Sequence, residues 1–294
     1  MSTDSTTVRR SIGAGAPAVR LDLESRPETL TLVRGMLGGI AERIAMDAEL
    51  LDDLKTAISE ACNNVVLHAY PDGSGPLTVE LTLGLDRIEV IVRDQGCGIS
   101  EAAASGERVH GVGMPVIRAL ADRAEFRQRA DGGTEVWMVF AGARDGKPLF
   151  DPPADAGPED AWSENLSGDA VVSVSPVTLL AGVLGRLSRA LAASARFSLD
   201  RFSDVYLVTD AISALAASGA TGPRIGFAIR VRTRQLELLV GPLRRGSVDA
   251  LRIRNDGRLA DSPLALLSDE LAAETIGPSE LLHVVMIDHR RSPA

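Results

Sequence analysis

The sequence predicts an α+β fold in two layers, with helices packed on one face of a mixed β-sheet, and it predicts this arrangement twice in tandem. Three observations carry that reading. Stretches with helical apolar spacing alternate with short strands of period two, Gly, Pro and Asp punctuate them, and the order of elements within residues 19–141 recurs within 171–290. A chain of 294 residues exceeds the usual size of one core and suits two units of about 100 to 150 residues each. Hydrophobic residues make up 45% of it, enough for both units to bury a core.

Taken in order, residues 1–18 read as a loose tail rich in Ser, Thr, Gly and Ala. Ser25-Arg26-Pro27-Glu28 has the spacing of a capping box and opens a helix to about Ile44; a second helix runs from about Ala48 to His68. Tyr70-Pro71-Asp72-Gly73 ends it with turn chemistry. Leu77, Val79, Leu81 and Leu83 alternate with polar residues, as do Ile88, Val90 and Val92, which gives an antiparallel hairpin leading to Asp94-Gln95-Gly96-Cys97-Gly98. Gly111-Val112-Gly113 precedes a short helix through Ala121, and a last hairpin turns at Asp131-Gly132-Gly133 into Thr134 to Phe140.

Residues 142–170, with Pro148, Pro152, Pro153 and Pro158, read as an exposed linker. Beyond it, helices are expected at Pro176 to Ala195 and Phe202 to Ala217, then a hairpin at Ile225 to Val240. A helix near Leu264 to Ala272 and a strand at Glu280 to Ile287 follow. Asp210 follows Glu60 by 150 residues and Pro242 follows Asp94 by 148, so the register of the two halves is nearly constant.

A net charge of −9 repels phosphate backbones and anionic lipid, and there is no Lys/Arg cluster interleaved with aromatics, which argues against nucleic acid and membrane as direct partners. With no evident signal segment or long apolar run, a cytoplasmic location is expected. Cys62 and Cys97 are too few for a zinc site or a disulfide framework; Cys97 is read as an incidental small residue in a ligand loop rather than a redox group.

Glu60 and Asn64 stand four apart on a helix, with Cβ atoms about 6 Å apart. An amide oxygen suits Mg²⁺, and a neighbouring carboxylate can take a proton from an attacking hydroxyl; taken alone, the same pair reads first as a solvated polar face. Asp94, ending a buried strand, can accept from an exocyclic amine, while Gly96 and Gly98 let a ring approach the backbone, although an ordinary turn after a strand has the same composition. Gly111 and Gly113 before a helix offer free N–H groups to phosphates, and Gly133-Thr134 adds a hydroxyl or is simply turn chemistry.

In this order the motifs resemble the ATP-binding fold shared by gyrase, the heat-shock chaperone, histidine kinases and mismatch-repair proteins: a two-layer α/β sandwich of the histidine kinase-like ATPase (Bergerat) type. The stretches Ile58 to Tyr70 and Val92 to Ile99 are most similar to the anti-sigma factor serine kinase branch, over about residues 20–141. The resemblance implies ATP and Mg²⁺ as cofactors, Asn64 on the metal, Glu60 as general base and Asp94 on adenine. Gly96 and Gly98 would bind the nucleotide, with Gly111, Gly113 and Thr134 along the phosphates. It also implies a sigma factor and an anti-sigma antagonist as partners, with a homodimer possible.

Between Ile99 and Gly111 the segment over the triphosphate is short and Ala-rich, which keeps open a non-catalytic, nucleotide-gated binding module. His110 and His68 are read as incidental and as a helix cap. In the second half Ala214 stands for Asn64 and Pro242 for Asp94, so that copy is expected to be degenerate and not to bind ATP. A histidine kinase would need a phosphorylatable His on a dimerisation helix, and His283 and His289 fall on or after the last strand.

Overall fold

Ten strands and six α-helices make up the residues described in the computed structural model, namely 17–44, 46–98, 113–130, 132–142, 163–251 and 262–289. The first half runs β1 (Val19–Glu24), α1 (Thr29–Ile44), α2 (Ala48–Asn64), β2 (Pro76–Leu83), β3 (Arg87–Asp94), α3 (Gly113–Leu120), β4 (Arg123–Gln128) and β5 (Thr134–Ala141). The second runs β6 (Ala170–Val174), α4 (Leu180–Ser194), α5 (Leu199–Gly219), β7 (Ile225–Arg232), β8 (Gln235–Arg244), α6 (Pro263–Leu267), β9 (Glu270–Ile276) and β10 (Ser279–Ile287).

All ten strands join one sheet in the order β4-β5-β3-β2-β1-β6-β7-β8-β10-β9. Every pairing is antiparallel, where a mixed sheet was expected. Read outward from the middle, each half has the same order: first strand, second, third, fifth, fourth. The halves meet where β1 pairs with β6, and the register is self-complementary about Leu21↔Val172, with Val19↔Val174 on one side and Leu23↔Ala170 on the other. One hydrophobic core runs through both halves beneath α1, α2, α4 and α5.

The helices of the seam explain an oddity of composition. Helix α1 carries Gly35, Gly38 and Gly39, residues that each weaken a helix by about 1 kcal/mol relative to Ala. Gly39 meets Gly182 of α4 backbone to backbone: a Cβ on Gly39 would stand 2.3 Å from the Gly182 carbonyl oxygen, and one on Gly182 would stand 2.2 Å from that of Gly39. No other residue lets the two helices cross so closely.

On the face of the first half away from the helices, charged residues pair across strands. Arg93 on β3 reaches Glu80 on β2 at 2.6 Å and Glu135 on β5 at 2.9 Å. The corresponding face of the second half combines an apolar cluster of Leu166, Ala228, Leu239 and Leu281 with a cross-strand pair, Arg230 on β7 to Glu237 on β8 at 2.9 Å.

Several local expectations are corrected. Ser25 does not cap a helix; its hydroxyl accepts from the Gly75 N–H at 3.0 Å, and α1 begins at Thr29, whose hydroxyl donates to the Glu24 carbonyl at 2.7 Å. Helix α2 is capped by Asp47, whose side chain accepts from the Glu49 N–H, and it stops at Asn64, continuing as a π-helical turn over Val65–Ala69. Strands β1 and β6 lie where none was expected. Residues 270–272 belong to β9, because the helix expected there ends at Leu267. One stretch, Val177–Ser194, is long and apolar enough to cross a membrane by composition; 56% of it is buried inside the fold, as a core helix requires.

Candidate functional site

The site grows from two strand ends and two helix ends. Strand β3 alternates buried and half-exposed residues, so Val92 and Asp94 both point under the helix layer. Asp94 therefore ends buried, at 3% exposure. A carboxylate there needs donors, and it has them: the Gly96 N–H at 2.8 Å, and both the N–H and the hydroxyl of Thr134 at the start of β5. Burial still prevails and raises the Asp94 carboxyl above its ordinary value, opposed by those donors and by the nearby Arg129 charge.

Asp94 floors a cavity of about 410 Å³, within the range of small-molecule sites. Its walls are largely apolar, from Ala61, Val65, Val92, Met114, Phe126 and Val136, and its polar positions include Asn64, Asp94 and Thr134. A flat heteroaromatic ring with one amine fits this chemistry: apolar faces, one buried acceptor at the end. Phe126, on β4, is steadied from outside by the Arg118 guanidinium, 5.2 Å from its ring centre.

Where Asn64 lines the cavity, it and Glu60 on α2 converge on the first residue of α3. A Cβ placed on Gly113 would stand 3.0 Å from Glu60 Oε2 and 3.3 Å from both amide atoms of Asn64. A carboxylate, an amide and a helix N-terminus thus share one small space. Among the described residues no group of three or more His, Cys, Asp or Glu converges, so a divalent cation here would be held by Asn64 together with oxygens of a ligand.

The remaining expected residues fall as follows. Gly98 lines the cavity with a positive φ of 78°, whereas Gly96 is not among its lining residues and faces the helix end. Thr134 is turned toward Asp94, at the apolar end of the cavity. Gly111, His110 and the rest of the stretch from 99 to 112 lie outside the described residues. His68 lines the cavity, and its carbonyl accepts from the Cys97 thiol at 3.3 Å. Cys62 is buried, which pushes its thiol up to about 12. Met114, Phe126 and Val136 were not singled out from sequence; nothing but their place in the fold marks them.

The second half differs at each matching point. Pro242 stands in β8 where Asp94 stands in β3. Near the start of β10, where β5 has Thr134, there is Glu280, 5% exposed, whose carboxylate accepts from the N–H groups of Gly246 at 2.9 Å and Val248 at 2.8 Å. Val248 is fully buried in the core.

Comparison with known proteins agrees with this geometry. The family model described as histidine kinase-like ATPase domain matches residues 23–140. Serine-protein kinase RsbW of Bacillus licheniformis is 39% identical over 138 residues, covering 42% of this chain and 85% of its own. The same kinase from Listeria monocytogenes is 36% identical over 135 residues, covering 41% of this chain and 85% of its own. That of Bacillus velezensis is 42% identical over 79 residues, so the chain spans 49% of that relative and 26% of itself.

Proposed function

The chain belongs to the family of the serine-protein kinase RsbW, with its histidine kinase-like ATPase domain, and on that premise we propose that it is an ATP-dependent anti-sigma regulator. In this reading it phosphorylates an anti-sigma antagonist on Ser or Thr and sequesters a sigma factor, in the cytoplasm. The observation that carries the proposal is a cavity lined by both Asn64 and the buried carboxylate of Asp94, with Glu60 converging on Gly113 beside that same Asn64.

Mg-ATP, when bound, supplies the transferable phosphoryl group and the cation that neutralises its charge. Everything else falls to this chain. Asp94 accepts a hydrogen bond from the 6-amino group of the base, and Thr134 holds Asp94 in the orientation to do so. Val92, Val136, Met114 and Phe126 keep water from the ring. Asn64 offers its amide oxygen to the cation. Gly113 opens α3, so the N–H groups of its first turn face the phosphates. Glu60, whose carboxylate shares the space at Gly113 with the Asn64 amide, would orient the incoming hydroxyl and take its proton.

We also read residues 19–141 as the ATP-binding unit, 142–170 as the linker, and 171–290 as a degenerate copy of that unit. The shared strand order and the self-complementary β1/β6 register support it. The copy does not bind nucleotide, because it has Pro242 for the amine acceptor, Ala214 for the metal ligand, and a carboxylate at Glu280 tied to its own 246–248 backbone.

The test is phosphopeptide mass spectrometry of dephosphorylated host lysate incubated with Mg-ATP and either the wild-type chain or Glu60→Gln. A phosphoserine or phosphothreonine that appears with the wild type alone is expected. Equal phosphorylation by both proteins removes Glu60 from the mechanism. No phosphorylation, with ATP binding intact, replaces the kinase by a nucleotide-gated binding module.

A further inference from the structure

Helix α2 does not simply end. Over Val65–Ala69 its turns widen to the π form, a shape often found at functional sites, and this leaves carbonyl groups free to accept from elsewhere. The loop after β3 uses them. The Cys97 N–H donates to the Ala69 carbonyl at 2.9 Å and the Cys97 thiol donates to that of His68 at 3.3 Å. Gly96 lies so close to the same turn that a Cβ on it would stand 2.1 Å from the Ala69 oxygen.

Tyr70, the next residue, completes the junction. Its hydroxyl accepts from the Gln95 N–H at 2.8 Å and donates to the Pro76 carbonyl at 2.6 Å, so both its hydrogen-bonding roles are used. Its ring is seated over Gly75, where a Cβ would stand 2.3 Å from the ring edge. Gly75 is in turn fixed by Ser25, through the Ser25 N–H to its carbonyl at 2.8 Å and its own N–H to the Ser25 hydroxyl at 3.0 Å. The phenol therefore ties three segments together: the end of the helix that carries Asn64, the start of β2, and the residue after Asp94.

We propose that the Tyr70 hydroxyl is a positioning group for base recognition, locking the Asp94–Gly98 loop to the end of α2 so that Asp94 and Asn64 keep a fixed separation. This deepens the nucleotide reading and rests on it. Without the hydroxyl, the ring still fills its seat over Gly75, but the Gln95 N–H turns to water and the loop that aims Asp94 gains freedom. The consequence is specific: what weakens is the contact with the exocyclic amine, not the fold and not the phosphate end.

The experiment compares the full wild-type chain with Tyr70→Phe, each titrated with Mg-ATP and with purine riboside triphosphate, which lacks the 6-amino group. Hydrogen exchange of the Gln95 amide is followed in both proteins. Tyr70→Phe is expected to bind Mg-ATP about five- to tenfold more weakly, the size of one hydrogen bond, with affinity for the purine analogue unchanged. Gln95 should exchange faster, with the thermal midpoint little altered. Equal ATP affinity in the two proteins, or equal loss for both nucleotides, overturns the proposal while leaving ATP binding in place. A wild-type chain that binds neither nucleotide overturns the underlying functional reading, and this inference with it.

Discussion

The two halves of this molecule lay their strands in the same order and bury the same kind of core, yet one has a polar-ended cavity and the other a sealed strand end. In the first half, the buried acid of the sheet is Asp94, held by Gly96 and Thr134 but facing an open space of about 410 Å³. In the second, it is Glu280, which satisfies Gly246 and Val248 of its own backbone. Buried carboxylates occur in both, but Asp94 lines a cavity whereas both oxygens of Glu280 are taken up by N–H groups of its own half. Strand order and core packing set the scaffold, while a few residues at strand ends decide whether it can hold a ligand.

The two halves depend on each other most at the seam. Gly39→Leu drives a side chain into the Gly182 carbonyl, 2.3 Å from where its Cβ must sit. Because the halves share one sheet and one core, the loss should reach about 3 kcal/mol and appear as a single cooperative shift in urea unfolding. Two separated transitions would mean that the halves fold independently of the seam.

Glu280→Ala sharpens the contrast between the halves on the closed side. The buried N–H of Val248 and the more exposed one of Gly246 lose their acceptor, which should lower stability by about 1 to 2 kcal/mol while leaving Mg-ATP affinity as in the wild type. An accompanying change in ATP affinity would show that the second half is not separate from the site.

The smallest effect lies in the pH dependence of Asp94. Its carboxyl is raised in the folded state above the ordinary value of 3.8. The folded protein therefore holds that proton more tightly than the unfolded chain, and the ionised form costs stability above the raised value, a cost relieved as pH falls. Asp94→Asn should thus gain in thermal midpoint relative to wild type at pH 7 and lose that advantage as the pH falls toward the ordinary carboxylate value. A pH-independent difference between the two proteins contradicts the burial account.

Much of the first half was legible because its signals are local. Glu60 with Asn64, Asp94 with its glycines, and the period-two runs from Leu77 to Val92 each declare themselves within a few residues. What was not legible depends on distant partners. Ser25 has the spacing of a cap, but Gly75, fifty residues on, takes its hydroxyl. Strand β1 has the alternation of Val19, Leu21 and Leu23, yet with six residues beside a tail it has meaning only once β2 and β6 flank it. Strand β9 lies mostly exposed at the sheet edge, and its Leu271 continues the helical spacing of Leu264 and Leu267 in α6, which hides the change of element. Thr134 reads as a phosphate contact from its turn, and only the register of β3 with β5 brings it to Asp94.

The central claim is that one chain carries one competent nucleotide site, in the first half. Isothermal titration of the full chain with Mg-ATP, in the wild type and in Asp94→Ala, tests it most directly. The account predicts one nucleotide per chain in the wild type and binding weakened by about a hundredfold or more in the variant, since a buried acceptor for the base amine is lost. Two nucleotides per wild-type chain, or a full-strength site remaining in Asp94→Ala, would contradict it.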